Sequence, residues 1–354
     1  MEQTHAHVPM RTIGPVKLIG SVVNDEIMVP LATYELPLWP STNRGAKLSR
    51  QCGGIVTTII DERMTRSILL EAPDAARCHE VSLAVKLRQP ELQLQIARSS
   101  RFAKLIDSHT QIVGNLLFLR LEFSTGDAAG HNMVTQAADE VMAWLLNQYS
   151  FLRYVSISGN YCTDKKATAV NGILGRGRYV VAELLVPRAI CLDTLKTTPE
   201  KIAELNTKKN LLGTMLAGGI RSANAHFANL LFAFYLALGQ DVANIVEGSQ
   251  GMVFAEVRNG DLYFSATLPN IIVGTVGNGK DYPFVQRNLH LLGCHQDRPV
   301  GENARRLAAI IGATVLCGEI SLLAAQTNPG ELMRAHTIFE RQAHDLTSES
   351  ISTP

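Results

Sequence analysis

The sequence lacks an excess of charge of either sign. Its 33 lysine and arginine residues are balanced by 32 aspartate and glutamate residues, which leaves a formal net charge of +1. A nucleic-acid partner needs a basic surface that neutralises phosphates, and no block of lysine or arginine is present. Charged residues make up only 18% of the chain. The composition therefore argues against nucleic-acid binding and predicts apolar surface that a subunit interface would cover.

Long hydrophobic runs and paired cysteines are also missing. The longest uninterrupted apolar run covers residues 230–238, well short of the roughly 20 residues that a membrane span needs. The N-terminus has no basic-then-apolar secretory pattern. The 6 cysteines are scattered without a Cys-x-x-Cys pair, which argues against a disulfide framework or a zinc site. We expect a cytoplasmic protein with reduced thiols, no membrane association and no metal.

Strand and helix patterns follow one another closely in the first half of the chain. Residues 119–123 alternate apolar and polar side chains, which is typical of a strand. Small residues then fill positions 124–132, and apolar residues recur at helical spacing over 134–145. This order predicts a strand, a tight loop and a helix.

Further patterns predict other elements along the chain. The pair Asn259-Gly260, between two apolar runs, predicts a hairpin with a type I′ turn. A serine at position 99 or 100 is expected to cap a helix that carries residues 102–106. Residues 302–325 predict one long helix. No period of 20 to 50 residues repeats, which excludes solenoids and propellers.

A carboxylate stands just before a polar segment near the N-terminus. Glu35 is followed by residues 40–45, Pro-Ser-Thr-Asn-Arg-Gly, which we interpret as a glycine-ended loop that contains one arginine, Arg44. Such a segment is either a surface turn or part of a functional site, and the residues alone favour neither interpretation.

A denser cluster of polar groups follows the strand expected near residue 155. Residues 156–166 read Ser-Ile-Ser-Gly-Asn-Tyr-Cys-Thr-Asp-Lys-Lys. A lysine held among such groups can stabilise a developing oxyanion, because a fixed cation acts most strongly where water is excluded. The alternative is a solvated turn with exposed lysines. We favour a functional loop, since loops at strand ends commonly carry function.

The most apolar helix pattern covers residues 227–238 and predicts a buried helix. His226 and Asn229 would then be buried polar groups that need partners, and we interpret His226 as a core histidine. Asp241 follows Gly239, the expected end of this helix. A carboxylate gains nothing from the C-terminal end of a helix dipole, so we expect Asp241 to have another partner, such as a lysine.

A glycine-rich segment, Gly-Thr-Val-Gly-Asn-Gly, covers residues 274–279 after another strand pattern. Its glycines could let the backbone approach a phosphate. The spacing differs from the dinucleotide-binding Gly-x-Gly-x-x-Gly fingerprint, so a simple turn is equally consistent with it.

Taken together, these segments resemble the catalytic domain of 3-hydroxy-3-methylglutaryl-coenzyme A reductases, and more closely the class I form. The resemblance runs from about residue 30 to residue 341. The segments that carry it appear in family order: PLATYE, STNRGA, MTR, SSRFAK, STGDAAGHN, SGNYCTDKKA, NAHFANL, GQD, GTVGNG and RAH.

The resemblance implies an α+β fold and a division into two domains. A large domain for the substrate and coenzyme A would comprise residues 1–66 and 157–354, arranged around a buried central helix. A small NADP(H)-binding domain, which is not a Rossmann fold, would be inserted as residues 67–156. The resemblance also implies a homodimer or homotetramer with its active site between subunits. Relative to class I members, we expect neither their membrane anchor nor most of their N-terminal segment.

The family reaction reduces an acyl thioester to an alcohol with two NADPH, releasing coenzyme A and mevalonate. By resemblance, Lys165 matches the lysine that stabilises the oxyanion, and Glu35 matches the acid that protonates the reduced carbonyl. That acid needs a pKa raised by burial. Asp241 matches the aspartate that tunes this pair, and His336 matches the histidine that protonates the departing thiolate.

Further positions match the family's ligand contacts. Those around the hydroxymethylglutaryl group are Arg66, Ser158, Asp164, Lys166, Lys209 and Asn229, and those on the coenzyme A side are Ser41, Asn43 and Arg44. Those on the NADPH side are Ser100, Arg101, Asp127, Gly130, Asn132, Val276 and Gly277. Arginine is a natural partner of a phosphate, so Arg101 favours NADPH over NADH.

The chain departs from the family pattern mainly near the cofactor. Ala129 and His131 stand where the family usually has methionines, and Asn278 and Lys280 stand where it has glycine and threonine. These departures leave two alternatives to hydroxymethylglutaryl-coenzyme A reduction: a divergent reductase of another acyl-coenzyme A, or a protein that binds acyl-coenzyme A without hydride transfer.

Overall fold

The computed structural model describes residue 4, residues 6–334 and residues 337–338. The strands are β1 (Met10–Ile19), β2 (Asp25–Ala32), β3 (Ile55–Glu71), β4 (Lys104–Val113), β5 (Leu116–Ser124), β6 (Arg153–Ser156), β7 (Gly177–Val186), β8 (Met252–Arg258) and β9 (Asp261–Ile271). The α-helices are α1 (Leu38–Gln51), α2 (Ala75–Leu87), α3 (Gln89–Ser99), α4 (His131–Gln148), α5 (Ala169–Leu174), α6 (Arg188–Ile190), α7 (Pro199–Leu205), α8 (Thr214–Leu216), α9 (Phe227–Ala237), α10 (Ile245–Gly248), α11 (Pro283–Leu291) and α12 (Glu302–Gln326). Two π-helical segments, Cys191–Leu195 and Asn206–Gly213, and one 3-10 turn, Val242–Asn244, complete the set.

The sheet is open and mostly antiparallel, and β3 is its long connecting strand. Six strands follow the order β2-β1-β3-β7-β9-β8. Residues 56–63 of β3 pair with β7, whereas residues 64–71 pair with β5. Strand β6 also pairs with the second half of β3, and β4 pairs with β5. One strand therefore joins two groups of strands.

Buried apolar side chains form two separate clusters that follow this division. Among the described residues, the fully buried members of one cluster come from residues 64–152 and from Ile272. The other takes its members from residues 13–55 and 180–324 and includes most of α9 and α12. The chain is therefore a mixed helix-and-strand protein whose long strand β3 contributes to both cores.

Helix α12 lies at the centre of the larger core. It packs against α1, α9, β3, β7 and β9. Its length and apolar composition would suffice to cross a membrane, but 94% of its most apolar stretch is buried inside the protein. Gly45 of α1 contacts α12 so closely that a methyl group there would overlap the carbonyl oxygen of Cys317. The two helices thus cross at a point where only glycine fits.

Several predicted elements are confirmed. The long helix at 302–325, the helix after the small-residue loop and the hairpin at Asn259-Gly260 are all present. Asn259 and Gly260 have φ values of 51° and 90°, as a type I′ turn requires.

Two local predictions were wrong. Residues 40–45 are part of helix α1 instead of forming a loop, because Gly45 serves helix packing and not a turn. Residues 104–106 begin strand β4 instead of continuing a helix, and the helix capped near Ser100 is α3, which ends there. The Ser100 hydroxyl accepts hydrogen bonds from the N–H groups of Phe102 and Ala103, at 3.2 and 3.1 Å, and so turns the chain into β4.

Candidate active site

Lys165 and Asp241 form an ion pair at the end of the loop that follows β6. The Lys165 ammonium lies 2.7 Å from Oδ2 of Asp241. The hydrogen bond to Asp241 raises the pKa of Lys165 above its ordinary value. Burial acts to raise the pKa of Asp241, but hydrogen bonds from Lys165 and from the Ala243 N–H outweigh it and hold that pKa below its ordinary value. The pair therefore stays charged near neutral pH, as a cation that stabilises an oxyanion requires.

The other candidates for the hydroxymethylglutaryl group lie in several elements. Asp164 accepts a hydrogen bond of 2.5 Å from Arg176, and Lys166 is exposed. Arg66 in β3 donates to the carbonyl oxygen of Ile157, one residue before Ser158, at 3.2 Å. Arg66 and Ser158 thus lie on adjoining segments.

Lys209 lies in the π-helical segment Asn206–Gly213. Its ammonium donates a hydrogen bond of 3.0 Å to the side chain of Asn210. Burial lowers its pKa below the ordinary value of lysine, against the opposing effect of Glu319. A half-buried ammonium of this kind gains from an incoming carboxylate.

Glu35 lies at a cavity next to the first turn of α1. This cavity has a volume of about 210 Å³. Its polar lining residues are Glu35, Ser41, Arg44, His226 and Glu331. The Asn229 side chain donates a hydrogen bond of 2.6 Å to the Glu35 carboxylate. Asn229 is exposed, so the expectation of a buried Asn229 was wrong: it lies on the one face of α9 that is not packed into the core.

Arg44 and Ser41 connect α1 to α12 at the edge of this cavity. The Arg44 guanidinium donates to the carbonyl and hydroxyl oxygens of Ser321, at 2.6 and 3.0 Å, and lies 3.1 Å from the Glu331 carboxylate. The Ser41 hydroxyl lies 3.1 Å from that of Ser321. Asn43 instead accepts a hydrogen bond from the Gly14 N–H. The structure thus brings Ser41 and Arg44 together with Glu35, while Asn43 contacts the β1 strand.

A second cavity, of about 290 Å³, lies at the N-terminus of helix α4. Its lining includes Gly130, His131, Asn132, Asp241, Val276, Gly277 and Lys280. Gly130 precedes α4 and has a φ of 96°. The first N–H groups of α4 have no partner within the helix and point out of its N-terminus, where the cavity lies. An anion is stabilised at such a helix terminus. Asp241 lines this cavity and is paired with Lys165, so the ion pair lies at the edge of the cavity.

Two other cofactor candidates have structural contacts in the described chain. Both carboxylate oxygens of Asp127 accept from backbone N–H groups, Gly301 at 2.8 Å and Ala304 at 3.0 Å, so Asp127 caps helix α12. Arg101 is exposed and stacks over the ring of Phe102 at 4.7 Å. Their roles toward a cofactor stay predictions, as do those of the other candidates.

The structure separates the predicted catalytic residues into two groups. Glu35 and Asn229 line or adjoin one cavity, and Lys165 with Asp241 adjoins the cavity at α4. The Glu35 side chain is only half-buried within the single chain, whereas the raised pKa expected of this acid requires burial. The remaining predicted catalytic residue, His336, lies outside the described residues.

Sequence reasoning missed several residues of these sites. His226, interpreted as a core histidine, lines the Glu35 cavity, and its Nε2 has no hydrogen-bond partner among the described residues. His131 and Lys280 line the α4 cavity. Burial lowers the pKa of Lys280 to about 8, and its ammonium donates 2.5 Å to the Gly239 carbonyl. His131 and Lys280 had a signal in the sequence, since both depart from the family pattern at positions expected near the cofactor, whereas His226 had none.

Known proteins of one family match this chain over nearly its whole length. The family described as hydroxymethylglutaryl-coenzyme A reductase matches residues 3–341. A 3-hydroxy-3-methylglutaryl-coenzyme A reductase of Pyrococcus abyssi is 47% identical, covering 94% of this chain and 82% of the relative. One of Aeropyrum pernix is 44% identical, covering 94% and 79%.

A solved structure shows the same fold at much lower sequence identity. It is a class II 3-hydroxy-3-methylglutaryl-CoA reductase from Streptococcus pneumoniae bound to NADPH. The two chains are 19% identical, with a TM-score of 0.71 over 92% of this chain and 86% of the other. The protein is an oxidoreductase. More narrowly, it belongs to the hydroxymethylglutaryl-coenzyme A reductase family, which confirms the predicted resemblance.

Proposed function

We propose that the protein reduces 3-hydroxy-3-methylglutaryl-coenzyme A to mevalonate and coenzyme A at the expense of two NADPH. The observation that carries this proposal is the Lys165–Asp241 pair, 2.7 Å apart, beside a cavity at a helix N-terminus. Such a pair supplies a fixed positive charge where a thioester carbonyl gains negative charge during reduction. Membership of the family identifies hydroxymethylglutaryl-coenzyme A as the expected substrate.

The residues take complementary roles in this proposal. Lys165 stabilises the oxyanion, and Asp241 keeps that lysine protonated and oriented. Glu35 delivers a proton to the reduced carbonyl, with Asn229 holding its carboxylate. His336 protonates the thiolate of coenzyme A. The cations Arg66, Lys166 and Lys209 suit the free carboxylate of the substrate.

The residues of the α4 cavity fit a dinucleotide. The first N–H groups of α4 and the buried ammonium of Lys280 face the same space, which favours an anionic group such as a diphosphate. Gly130, Asn132, Val276 and Gly277 would hold it there, and Ser100 with Arg101 would hold a 2′-phosphate. When bound, NADPH supplies hydride. The solved relative bound to NADPH supports this choice.

The active site would lie between two subunits, which brings Glu35 of one chain to Lys165 of another. Their separation into two cavities within one chain supports this arrangement. An exposed apolar strip beside Lys209 supports it as well: Leu211, Leu212, Met215, Leu216 and Ile220 are all exposed. Such a strip is typical of a surface that a second subunit covers.

The division into a substrate domain (1–66 and 157–354) and a small NADP(H) domain (67–156) is part of the same proposal. The two hydrophobic clusters support it, since the smaller one takes nearly all of its members from residues 64–152.

Thioester-dependent NADPH oxidation by the purified protein tests the function. We expect turnover with hydroxymethylglutaryl-coenzyme A, a loss of at least about 100-fold for Lys165→Ala, and no change for the exposed control Lys201→Ala. Turnover that survives Lys165→Ala would refute the mechanism. Preference for an acyl group without a free carboxylate would favour the divergent reductase, and calorimetric thioester binding without NADPH oxidation would favour the binding protein.

A further inference from the structure

The loop that carries Lys165 has an unusual backbone. Asn160, Thr163 and Lys165 have φ values of 59°, 50° and 55°, in the left-handed region that non-glycine residues rarely adopt. In this region the side chain crowds the following carbonyl group, so each such residue is held against a local preference. Contacts from outside the loop must therefore fix its conformation.

Glu247 of α10 holds the backbone of Lys165 itself. Its side chain is fully buried, and Oε1 accepts a hydrogen bond of 3.1 Å from the Lys165 N–H. The same oxygen accepts from the Asn244 side chain at 2.9 Å and from Nε of Arg176 at 3.3 Å. An exposed residue of the loop is thus attached to a carboxylate in the protein interior.

Arg176 binds Asp164, the residue that precedes Lys165. It is 1% exposed and lies between α5 and β7. Its Nη2 donates to the Asp164 carboxylate at 2.5 Å, while its Nη1 donates to the carbonyl and hydroxyl oxygens of Thr65 at 2.8 and 2.7 Å. One buried ion pair therefore binds two consecutive loop residues, Asp164 and Lys165, to the fixed strand β3.

We propose that Glu247 and Arg176 are positioning residues that hold Lys165 in its left-handed conformation, so that its ammonium meets Asp241. The inference rests on the proposed function, since it assigns these residues a task in the same reaction. Neither side chain adjoins a reacting atom in this role. The consequence of losing either is a misplaced ammonium, and a misplaced catalytic group costs rate more than substrate affinity.

The protonation of Lys165 distinguishes this role from a purely structural one. The charged groups that act on its ammonium are Asp241, Asp164 and Glu247, and all of them raise its pKa. His131, which lies 3.9 Å from the Asp164 carboxylate, adjoins the same cluster. If the loop shifts and the ammonium leaves Asp241, the pKa of Lys165 falls. More of the free amine is then present at pH 8.

The test compares Glu247→Ala and Glu247→Gln with the matched pair Glu256→Ala and Glu256→Gln. Glu256 lies in β8, has a side chain that is 40% exposed and pairs only with Arg258 among the described residues. We expect kcat to fall about 100-fold in Glu247→Ala, with KM for NADPH unchanged. The kcat of Glu247→Gln should fall less, because the amide oxygen of glutamine can still accept the hydrogen bond from the Lys165 N–H. The Glu256 variants should match the wild type.

Competitive acetylation with acetic anhydride at pH 8, read by mass spectrometry, reports on Lys165 directly. We expect faster labelling of Lys165 in Glu247→Ala than in the wild type and than in Glu247→Gln, which loses the same charge but keeps an acceptor for the Lys165 N–H, and unchanged labelling of Lys201. Equal kcat and equal labelling in folded Glu247→Ala would overturn the proposal. So would a loss of kcat without faster labelling, because it would indicate a general loss of folded enzyme.

Hydrogen exchange on the wild-type protein provides the measurement if both Glu247 variants fail to fold. The Lys165 amide should be strongly protected although its side chain is exposed, because the amide donates to a buried carboxylate. Exchange at the rate of an open loop would overturn the proposal. Lys165→Ala keeps the two hypotheses separate: if it retains turnover, the proposed function fails, whereas neutral Glu247 variants with inactive Lys165→Ala contradict only the positioning role.

Discussion

The ammonium of Lys165 and the carboxylate of Asp241 are 2.7 Å apart, although 76 positions separate them in the sequence. Each side chain is about two-fifths exposed, so their attraction depends on hydrogen-bond geometry more than on burial. Each member holds the other in its charged form.

Asp241→Asn should lower kcat by at least about 100-fold, because the lysine loses the group that orients and charges it. The pKa of Lys165, raised by Asp241 in the wild type, should return toward its ordinary value of 10.5. Activity that needs the ammonium is present below that pKa and lost above it, so the alkaline limb of the kcat profile should move to lower pH. The exposed control Asp297→Asn should leave the profile unchanged, and an unmoved limb in Asp241→Asn would contradict the prediction.

The contact between Arg44 and Glu331 predicts a competition for the arginine. The Glu331 carboxylate lies 3.1 Å from the guanidinium, at the cavity that is lined by Ser41 and Arg44, two residues predicted for the coenzyme A side. A phosphate that binds Arg44 must replace this contact, so Glu331→Gln should lower KM for the thioester. Arg44→Met should raise it by about 10- to 100-fold, the contribution of a hydrogen bond to a charged group.

Steady-state kinetics with varied thioester measure both changes. Lys47→Met, an exposed lysine on the same helix, is the matched control and should behave as the wild type. An unchanged KM in Arg44→Met would remove Arg44 from the coenzyme A site.

His131 predicts a loss of stability in mild acid. Burial and the charges of Arg176 and Lys165 lower its pKa below 6.5, against the opposing effect of Asp164 and Asp241. Between its folded and unfolded pKa values, the unfolded chain binds more protons, so the free energy of unfolding falls as pH drops through about 6.5.

His131→Met should therefore reduce the difference between urea midpoints measured at pH 7.5 and pH 5.5. His79→Met, an exposed histidine on α2, should leave that difference as in the wild type. The same acid sensitivity in His131→Met and the wild type would show that other groups cause it.

Gly45→Ala should lower the free energy of unfolding by about 3 kcal/mol, the upper part of the range for overpacking. The added methyl group would overlap the backbone of Cys317, so α1 and α12 would have to separate. The control is Gly213→Ala, whose nearest neighbour would be an ordinary 3.7 Å contact. Urea unfolding of both variants checks the prediction, and equal midpoints would contradict it.

Local sequence signals predicted the elements whose structure is determined locally. Asn259-Gly260 determines a tight turn through its own backbone preferences, and α12 has helical periodicity over many turns. The segment 102–106 offered only three large apolar positions, Phe102, Leu105 and Ile106, of ambiguous spacing. Pairing with β5 decides the conformation from Lys104 onward. The conformation at Gly45 was also not determined locally, because this glycine packs against α12, a helix far along the chain.

The site was predictable where resemblance or residue chemistry pointed to it. The position of Asp241 after α9 already indicated a partner other than the helix, and the structure supplies Lys165. The contacts of Glu247 and of Asp127 had no local signal, because each joins segments distant in sequence. Burial of a charged residue depends on the assembled core, which a local pattern does not describe.

The central position of α12 also sets an order of events during synthesis. Helix α1 leaves the ribosome early, yet the helix it packs against ends only at residue 326. At about 5–20 residues per second, the chain from residue 51 to residue 326 takes roughly 14 to 55 s to appear. The smaller cluster, nearly complete by residue 152, has all but one of its parts much sooner. The part of α1 that faces α12 therefore has no native partner until residues 302–326 are synthesised, whereas the part that packs on β1 has its partner from the start.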